Sequence, residues 1–458
     1  MAYTNLLLQF PEAADAWAEY GDLLLVTNSR GDARDAFTRS LALDPEHLDS
    51  LVGLGRVSLR LGQLEEAEAH LAQALSLAPQ HLEVRLELAR CHWRLGHLDQ
   101  ALGVLGPAVE QDPSSHVVTR FLVDIYMRQG RWPELHREML RRANQDYTGP
   151  VLDWEVCCVN LLFGNMPLGW DQHESRWNHP GLTYPKREFP QPLWTGDPLA
   201  GRTLLLHCEQ GFGDTLMFVR YAALVEQLGA KVILLVQPEL ADLVATCPGV
   251  EQVFSEEGPL PPFDVHLPLL SLPHVFRTTL DTIPADVPYL DIPERVPNRK
   301  GICELLKASH GRTRIGISWA GNPNHARDAE RSIPAAALLP LQAIPNIAWY
   351  SLQQGTEELP PLPDAQSLSP LLSNFSDTAY ALSGLDLVIT VDTAIAHLAG
   401  ALGIPTLLLV SSLPDWRWLM GREDSPWYPT LRIYRQSRAG DWASVLQQVA
   451  RDLSLEEG

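Results

Sequence analysis

LDSLVGLGRVSLRLGQLEEAEAHLAQALSLAP, residues 48–79, is followed by LEVRLELARCHWRLGHLDQALGVLGPAVEQDP, residues 82–113, and the two segments match at a step of 34. Pro45, Pro79 and Pro113 keep that step, as do Ala33, Ala67 and Ala101, and Gly62, Gly96 and Gly130. Laid out from Ala14, Leu48, Leu82 and His116, the units share a large apolar residue early (Trp17, Leu51). A small residue follows four positions later (Gly21, Gly55, Ala89), and a large one comes late (Phe37, Leu71, Leu105). Each residue type has a mechanical task. The small residue lets two helices approach, the glycine between them takes a left-handed turn, and the proline ends the second helix.

A helical pair of this kind cannot bury its own apolar faces, so the pairs must stack into a superhelix with a concave groove. The pattern resembles the tetratricopeptide repeat, a helix–turn–helix unit. A fourth unit, 116–149, is degenerate, with Val123, Leu135 and Met139 at the places of two small residues and an aromatic. Arg60, Arg94 and Arg128 recur at one repeat position, with Arg56 and Arg90 four residues before the first two, so they share a helix face. Tetratricopeptide grooves are lined from this helix. The expectation is a basic strip in the groove that holds an acidic stretch of a protein acceptor, set against a plain solvated face.

Outward from the repeats, the chain has 458 residues, enough for two to four domains with buried cores. Lys+Arg 35 against Asp+Glu 56 gives a net charge of −21, which argues against nucleic acid or an anionic membrane as partner. Six cysteines show no CxxC spacing, and His and Cys nowhere cluster along the sequence as zinc ligands do. The amino-terminal MAYTNLLLQFPEAADAW does not read as a signal peptide, and no stretch approaches eighteen apolar residues. These features predict a reduced, cytoplasmic protein with no membrane insertion.

Between about 150 and 200 the text changes. GWDQHESRW reads as a last amphipathic helix and YPKREFPQPLWTGDPLAG as an extended connector. TLLLHC, DTLMFVRYAALVEQL and KVILLV then set the rhythm of a parallel sheet with crossover helices, and RIGISWA, IAWYSLQ, LDLVITVD, TLLLV and LRIYR repeat it. The predicted division is a repeat domain over 1–150, a capping helix and connector over 151–184, and two Rossmann-like domains over 185–300 and 301–458. Two facing sheets leave a cleft at the carboxyl ends of their strands.

EQGFGDTLMFVRYA, GISWAGNPNHARDAERSIP and VDTAIAHLAGALGIPTLLL resemble bacterial glycosyltransferases that join tetratricopeptide repeats to a GT-B catalytic unit, similar in that half to heptosyltransferases. The resemblance extends to GWDQHESRW and DWRWLMGREDSPWYP. It implies an all-α superhelix followed by a GT-B fold, a terminal helix crossing back to the first half, and glycosylation of a protein such as flagellin. Asp214, after the glycines of Glu209-Gln210-Gly211-Phe212-Gly213, falls near a helix start. The resemblance makes it the general base that takes the acceptor hydroxyl's proton, with Glu209 and His207 as substitutes.

LDLVITVD ends at Asp392-Thr393 before AIAHLAGALG, whose unpaired amides suit a diphosphate. The resemblance puts Asp392, Thr393 and His397 around the nucleotide, His397 most usefully when protonated. Asn322 and Arg331 sit in a loop where a cation offsets charge on the departing diphosphate, although the resembling enzymes have a lysine there. Gln353 sits where such enzymes hold the base. Trp416, Trp418, Trp427 and Tyr428 read chiefly as packing residues. No Asp-x-Asp occurs, so no metal and no cofactor are expected, and the donor is a nucleotide-sugar substrate. The alternatives are an inactive tetratricopeptide scaffold and a transferase acting on lipid-linked or polysaccharide sugar.

Overall fold

The computed structural model describes residues 11–112, 115–143, 150–179, 186–255, 259–309, 311–325, 327–356 and 358–456. It forms two compact units, Met1–Glu155 and Val156–Gly458.

The first unit is a run of paired helices: α1 (Ala14–Val26) with α2 (Arg30–Leu43), α3 (Leu48–Leu61) with α4 (Leu64–Leu77), α5 (Leu82–Leu95) with α6 (Leu98–Gln111), and α7 (His116–Arg128) with α8 (Trp132–Ala143). The predicted repeat chemistry is realised. A Cβ on Gly21 would stand 2.6 Å from the Phe37 ring, and one on Gly55 would stand 2.5 Å from Leu71 Cγ. Ala33, Ala67 and Ala101 are fully buried, and so are Leu135 and Met139 of the degenerate fourth unit. The worn positions are still core.

Two periodic devices escaped the sequence reading. His47, His81 and Ser115, again 34 apart, cap the first helix of their pairs by accepting the backbone N–H of Ser50, Val84 and Val118. Arg60 Nη1 donates to the Leu25 carbonyl at 2.9 Å, and Arg94 Nη1 donates to the Leu59 carbonyl. Each arginine therefore adds a second donor to a last-turn carbonyl of the preceding unit's first helix, which already accepts the N–H of Asn28 or Gly62.

α9 (Pro150–Leu162) runs across the division between the units and is followed by α10 (Met166–His173), the two joined through Gly164 at φ +79°, one further step of 34 beyond Gly130. The first sheet runs β3 (Val250–Ser255), β2 (Lys231–Val236), β1 (Thr203–His207), β4 (Val265–Pro268), all parallel. The second runs β10 (Leu431–Arg435), β9 (Thr406–Val410), β8 (Leu387–Val391), β5 (Thr313–Ser318), β6 (Ile347–Ser351), β7 (Gln366–Ser367), also parallel. A multi-domain chain, helical repeats first and two parallel α/β sheets after, is thus what the sequence predicted. The proline-rich connector is extended, as expected: Leu193 bridges His266, and Trp194 N–H donates to the His266 carbonyl at 2.9 Å, covering the β4 edge.

Two expectations are corrected. DTLMFVRYAALVEQL is not one helix: α11 (Phe212–Phe218) passes through a tight turn at Val219–Tyr221 before helix resumes at Ala222–Gln227. The turn sends the buried Arg220 inward, where it donates to the Met217 carbonyl at 2.7 Å, the Trp427 carbonyl at 2.6 Å and the Tyr289 hydroxyl at 2.7 Å. The terminal helix, Trp442–Glu456, does not serve as a crossover. Trp442, Val445, Leu446 and Val449 belong to the core of the second sheet with Ile315, Leu338 and Ile389, because that is where its apolar stripe finds cover.

Candidate active site at the facing strand ends

The order of the first sheet reverses between β1 and β4 and that of the second between β5 and β8. Such switch points open crevices at the carboxyl ends of strands. β1 leads into the Glu209–Asp214 loop and α11, and β8 leads into Asp392-Thr393 and α12 (Ala394–Ala401). The two helix starts meet. A Cβ on Gly213 would stand 2.8 Å from His397 Cδ2, so only glycine allows this approach. The Phe212 ring lies 5.0 Å from that of Phe375.

Asp214 forms an ion pair between the lobes, beside the Arg220 contact to the Trp427 carbonyl. Its Oδ2 accepts the Gly211 N–H at 3.0 Å, the cap foreseen from sequence, and its Oδ1 is ion-paired with Arg417 Nη2. Arg417 also grips Asp415 Oδ1 at 2.7 Å, and its guanidinium stacks 4.2 Å from the Trp416 ring centroid. Burial opposes the charge, but Asp415 and Asp214 raise the Arg417 pKa and keep it ionised. Sequence reading missed Arg417 and Asp415. Their one signal was a charged residue between two tryptophans, WRW, after a strand end.

Asp392 ends β8 and is partly buried. Burial, reinforced by the neighbouring Asp415 charge, raises its carboxyl above the ordinary aspartate range. Its backbone carbonyl accepts from Arg331 Nη1 at 3.0 Å, while Arg331 Nε donates to Asp328 at 3.1 Å. Arg331 therefore does reach the β8 terminus, over Gly321, where a Cβ would stand 2.5 Å from its Nη2. Thr393 caps α12 by accepting the Ile395 N–H at 3.3 Å. Arg331, Asp392 and Thr393 therefore lie together at the carboxyl end of β8.

His397 is corrected in its charge and direction. Burial lowers its pKa to about 3, with Arg417 the next cause, so it is neutral. Its Nδ1 lies 2.9 Å from the Tyr428 hydroxyl, and its ring stacks on Trp418 at 5.1 Å and 26°. In this arrangement the imidazole is turned to Tyr428 and Trp418 as a neutral ring. Gln353 is corrected too. It is buried, its Oε1 accepts from Trp319 N–H at 3.0 Å and Ala320 N–H at 2.9 Å, and its Nε2 donates to the Ala320 carbonyl at 3.0 Å. It shapes the loop after β5 rather than facing a base. Asn322 is exposed and accepts the Asn324 N–H at 3.0 Å in a local turn. Trp416, Trp418, Trp427 and Tyr428 are buried, the packing residues expected.

Neither substitute base is placed for the task. Glu209 is enclosed, forked onto Arg176 at 3.0 and 3.1 Å, and takes the Leu270 N–H at 3.2 Å. His207 is buried with its pKa lowered to about 3 by desolvation and then by His266. His207 instead helps line a cavity of about 260 Å³ at the β1/β4 switch point, with Trp177, Arg187, His266, Ser271 and Arg277.

In the repeats, the arginines do not present a bare basic strip. Arg56 is paired with Glu83 and Glu87, Arg90 with Glu87 at 3.2 Å, and Arg128 lies 5.0 Å from the Trp93 ring. Arg60 and Arg94 are engaged on carbonyls as described. For Arg56 the partners were hidden because Glu83 and Glu87 sit on the next repeat's first helix, while Glu87 is the i−3 neighbour of Arg90 on that same helix.

Several known proteins are similar to this chain over part of its length. The family model of the middle TPR-like domain of cilia- and flagella-associated protein 70 matches residues 1–118. Protein FlbA of Caulobacter vibrioides is 27% identical over 331 residues, covering 66% of this chain and 55% of that protein, so the chain spans about half of that relative. A glycosyl transferase family 9 structure from Veillonella parvula is 12% identical, covers 57% of this chain and 99% of that one, and has a TM-score of 0.42. YrrB, described as a TPR protein with an unusual peptide-binding site, is 18% identical, covers 39% of this chain and 94% of its own, and has a TM-score of 0.32. The amino-terminal part of this chain, a run of helical pairs with a 34-residue step, is thus similar to a TPR-like domain over residues 1–118 and precedes a two-sheet α/β unit.

Proposed function

We propose that the α/β unit is an inverting glycosyltransferase of GT-B type, moving a sugar from a nucleotide-sugar donor to a protein acceptor recruited by the repeats. One observation carries the reading: the switch points of two parallel sheets face each other, with Asp214 from one and Asp392, Thr393 and Arg417 from the other gathered there. In this reading the donor diphosphate rests at the amino terminus of α12, held by Thr393 and offset by Arg331 and Arg417. Those fixed charges take the place of a metal ion. Asp214 accepts the proton of the attacking hydroxyl, which requires the donor to draw Arg417 off it. The cavity beside His207 supplies room for the acceptor on the first lobe. Flagellin is the acceptor suggested by the sequence resemblance. A reduced compartment such as the cytoplasm belongs to this reading, because the cysteines have no disulfide-framework spacing in the sequence.

One observation favours the scaffold alternative: Asp214 already carries Arg417 and the Gly211 amide, as a purely structural carboxylate does. Melting the full chain against UDP, GDP, ADP, CMP and TDP separates the two. A transferase is stabilised by one nucleotide, and turnover with its sugar conjugate falls about 100-fold or more in Asp214→Asn while the melting shift persists. No shift with any nucleotide leaves the scaffold. Turnover that requires added Mn²⁺ removes the metal-free assignment.

A further inference from the structure

The sequence shows no zinc-ligand spacing, yet folding gathers one group of three metal-ligating side chains among the described residues. Glu68, His92 and His97 each bring a ligand atom within 4.8 Å of the others. Glu68 comes from α4, His92 from the last turn of α5, and His97 from the turn that starts α6.

The turn chemistry explains the meeting. Gly96 is left-handed at φ +78°, the His97 N–H donates to the His92 carbonyl at 2.8 Å, and the Gly96 N–H donates to the Trp93 carbonyl at 3.1 Å. This is a Schellman closure, which brings the side chains of its first and last residues together, usually as an apolar contact. In the next repeat the same two places hold Tyr126 and Arg131, which make a cation–π pair at 5.1 Å. In the preceding repeat they hold Ser58 and Gln63. Here both are imidazoles, with ring centroids 6.4 Å apart, and a carboxylate faces them from α4.

The side chains are suited to a ligand rather than to one another. His92 is only 8% exposed and its Nδ1 has no hydrogen-bond partner, although Glu68 Oε1 stands 3.5 Å away. Ligand atoms on a tetrahedral zinc with bonds of about 2.0 Å stand about 3.3 Å apart. The exposed His97 side chain has the rotational freedom to close the remaining distance. Two imidazoles and one carboxylate match a borderline-soft divalent cation, with a fourth position open to water.

We propose that Glu68, His92 and His97 bind Zn²⁺ and pin the turn between α5 and α6. The test is calorimetric titration of ZnCl₂ into the full, tag-free chain after removal of metal by a chelator. The expected result is one site, accompanied by a rise in melting temperature. His97→Ala and Glu68→Gln should each weaken it at least tenfold, since even outer-shell partners are worth that much, while His70→Ala on the same helix leaves it unchanged. His92 is too buried for a clean variant, and metal-free melting of His97→Ala checks that the fold is kept. No uptake by the wild-type chain, or binding as tight in either ligand variant, overturns the site.

Discussion

Arg417 serves two carboxylates from different strand ends, and its neighbours leave little water to screen them. Removing it leaves Asp214 and Asp415 facing each other with Asp392 nearby. Arg417→Ala should therefore lower the stability of the α/β unit by about 3 kcal/mol, the usual cost of stripping one partner from a buried pair. Urea unfolding read by tryptophan fluorescence checks this. Arg417→Lys should recover less than half of the loss, because a single ammonium cannot reproduce the fork on two acids. An unchanged midpoint for Arg417→Ala would mean that the pair is solvated and weak.

At the scale of elements, the repeats are held by contacts that recur at 34 residues, and two of them are separable by mutation. Gly55→Val pushes two methyls into Leu71, which should cost about 1–3 kcal/mol by overpacking. Arg94→Ala removes the inter-repeat donor from the Leu59 carbonyl, which keeps the Gly62 N–H, and should cost about 0.5–1 kcal/mol. Loss of the helical circular dichroism signal in urea measures both. Reversing Arg60 and Arg94 to Glu would accordingly weaken the array itself, so a resulting loss of acceptor binding would not identify a groove contact.

The repeats were legible because Gly21, Gly55 and Ala89 must be small for reasons internal to one helical pair. β2 was legible to the residue, since a strand buried on both faces is a near-continuous apolar run, and the edge strand β10 was legible through its buried Leu431, Ile433 and Tyr434. What escaped was anything set by approach between distant segments: Arg417 on Asp214, the neutral His397, the carbonyls under Arg60, and the meeting of Glu68 with two histidines. Pattern in one dimension does not encode which loops face each other. The helix-start positions of Asp214 and Thr393 were legible because helix capping is local, whereas the partners of Gln353 were not, because they lie on another strand's loop.

Across the whole α/β unit, protonation makes a collective prediction. His173, His207 and His397 are buried and held neutral, the last two with pKa values lowered to about 3. An unfolded histidine titrates near 6.5, so between about 6.5 and 3 the unfolded chain binds more protons, and stability falls as pH falls through that window. Asp392 and Glu209, raised by burial, work in the opposite direction below about 6 but are fewer. Urea midpoints should therefore drop from pH 7 to pH 5. His397→Gln should flatten the dependence by up to about 1.4 kcal/mol per pH unit, the slope of one proton. A midpoint that rises on acidification would contradict the neutral assignment.

The stacking of Trp418 on His397, with Gly213 on the imidazole's other edge, has an optical corollary. An indole lying flat on a neighbouring ring reports any parting of the two by a change in emission. Whatever guest pries Gly213 away from α12 should announce itself in the intrinsic glow of the molecule, without dye, label or assay of product.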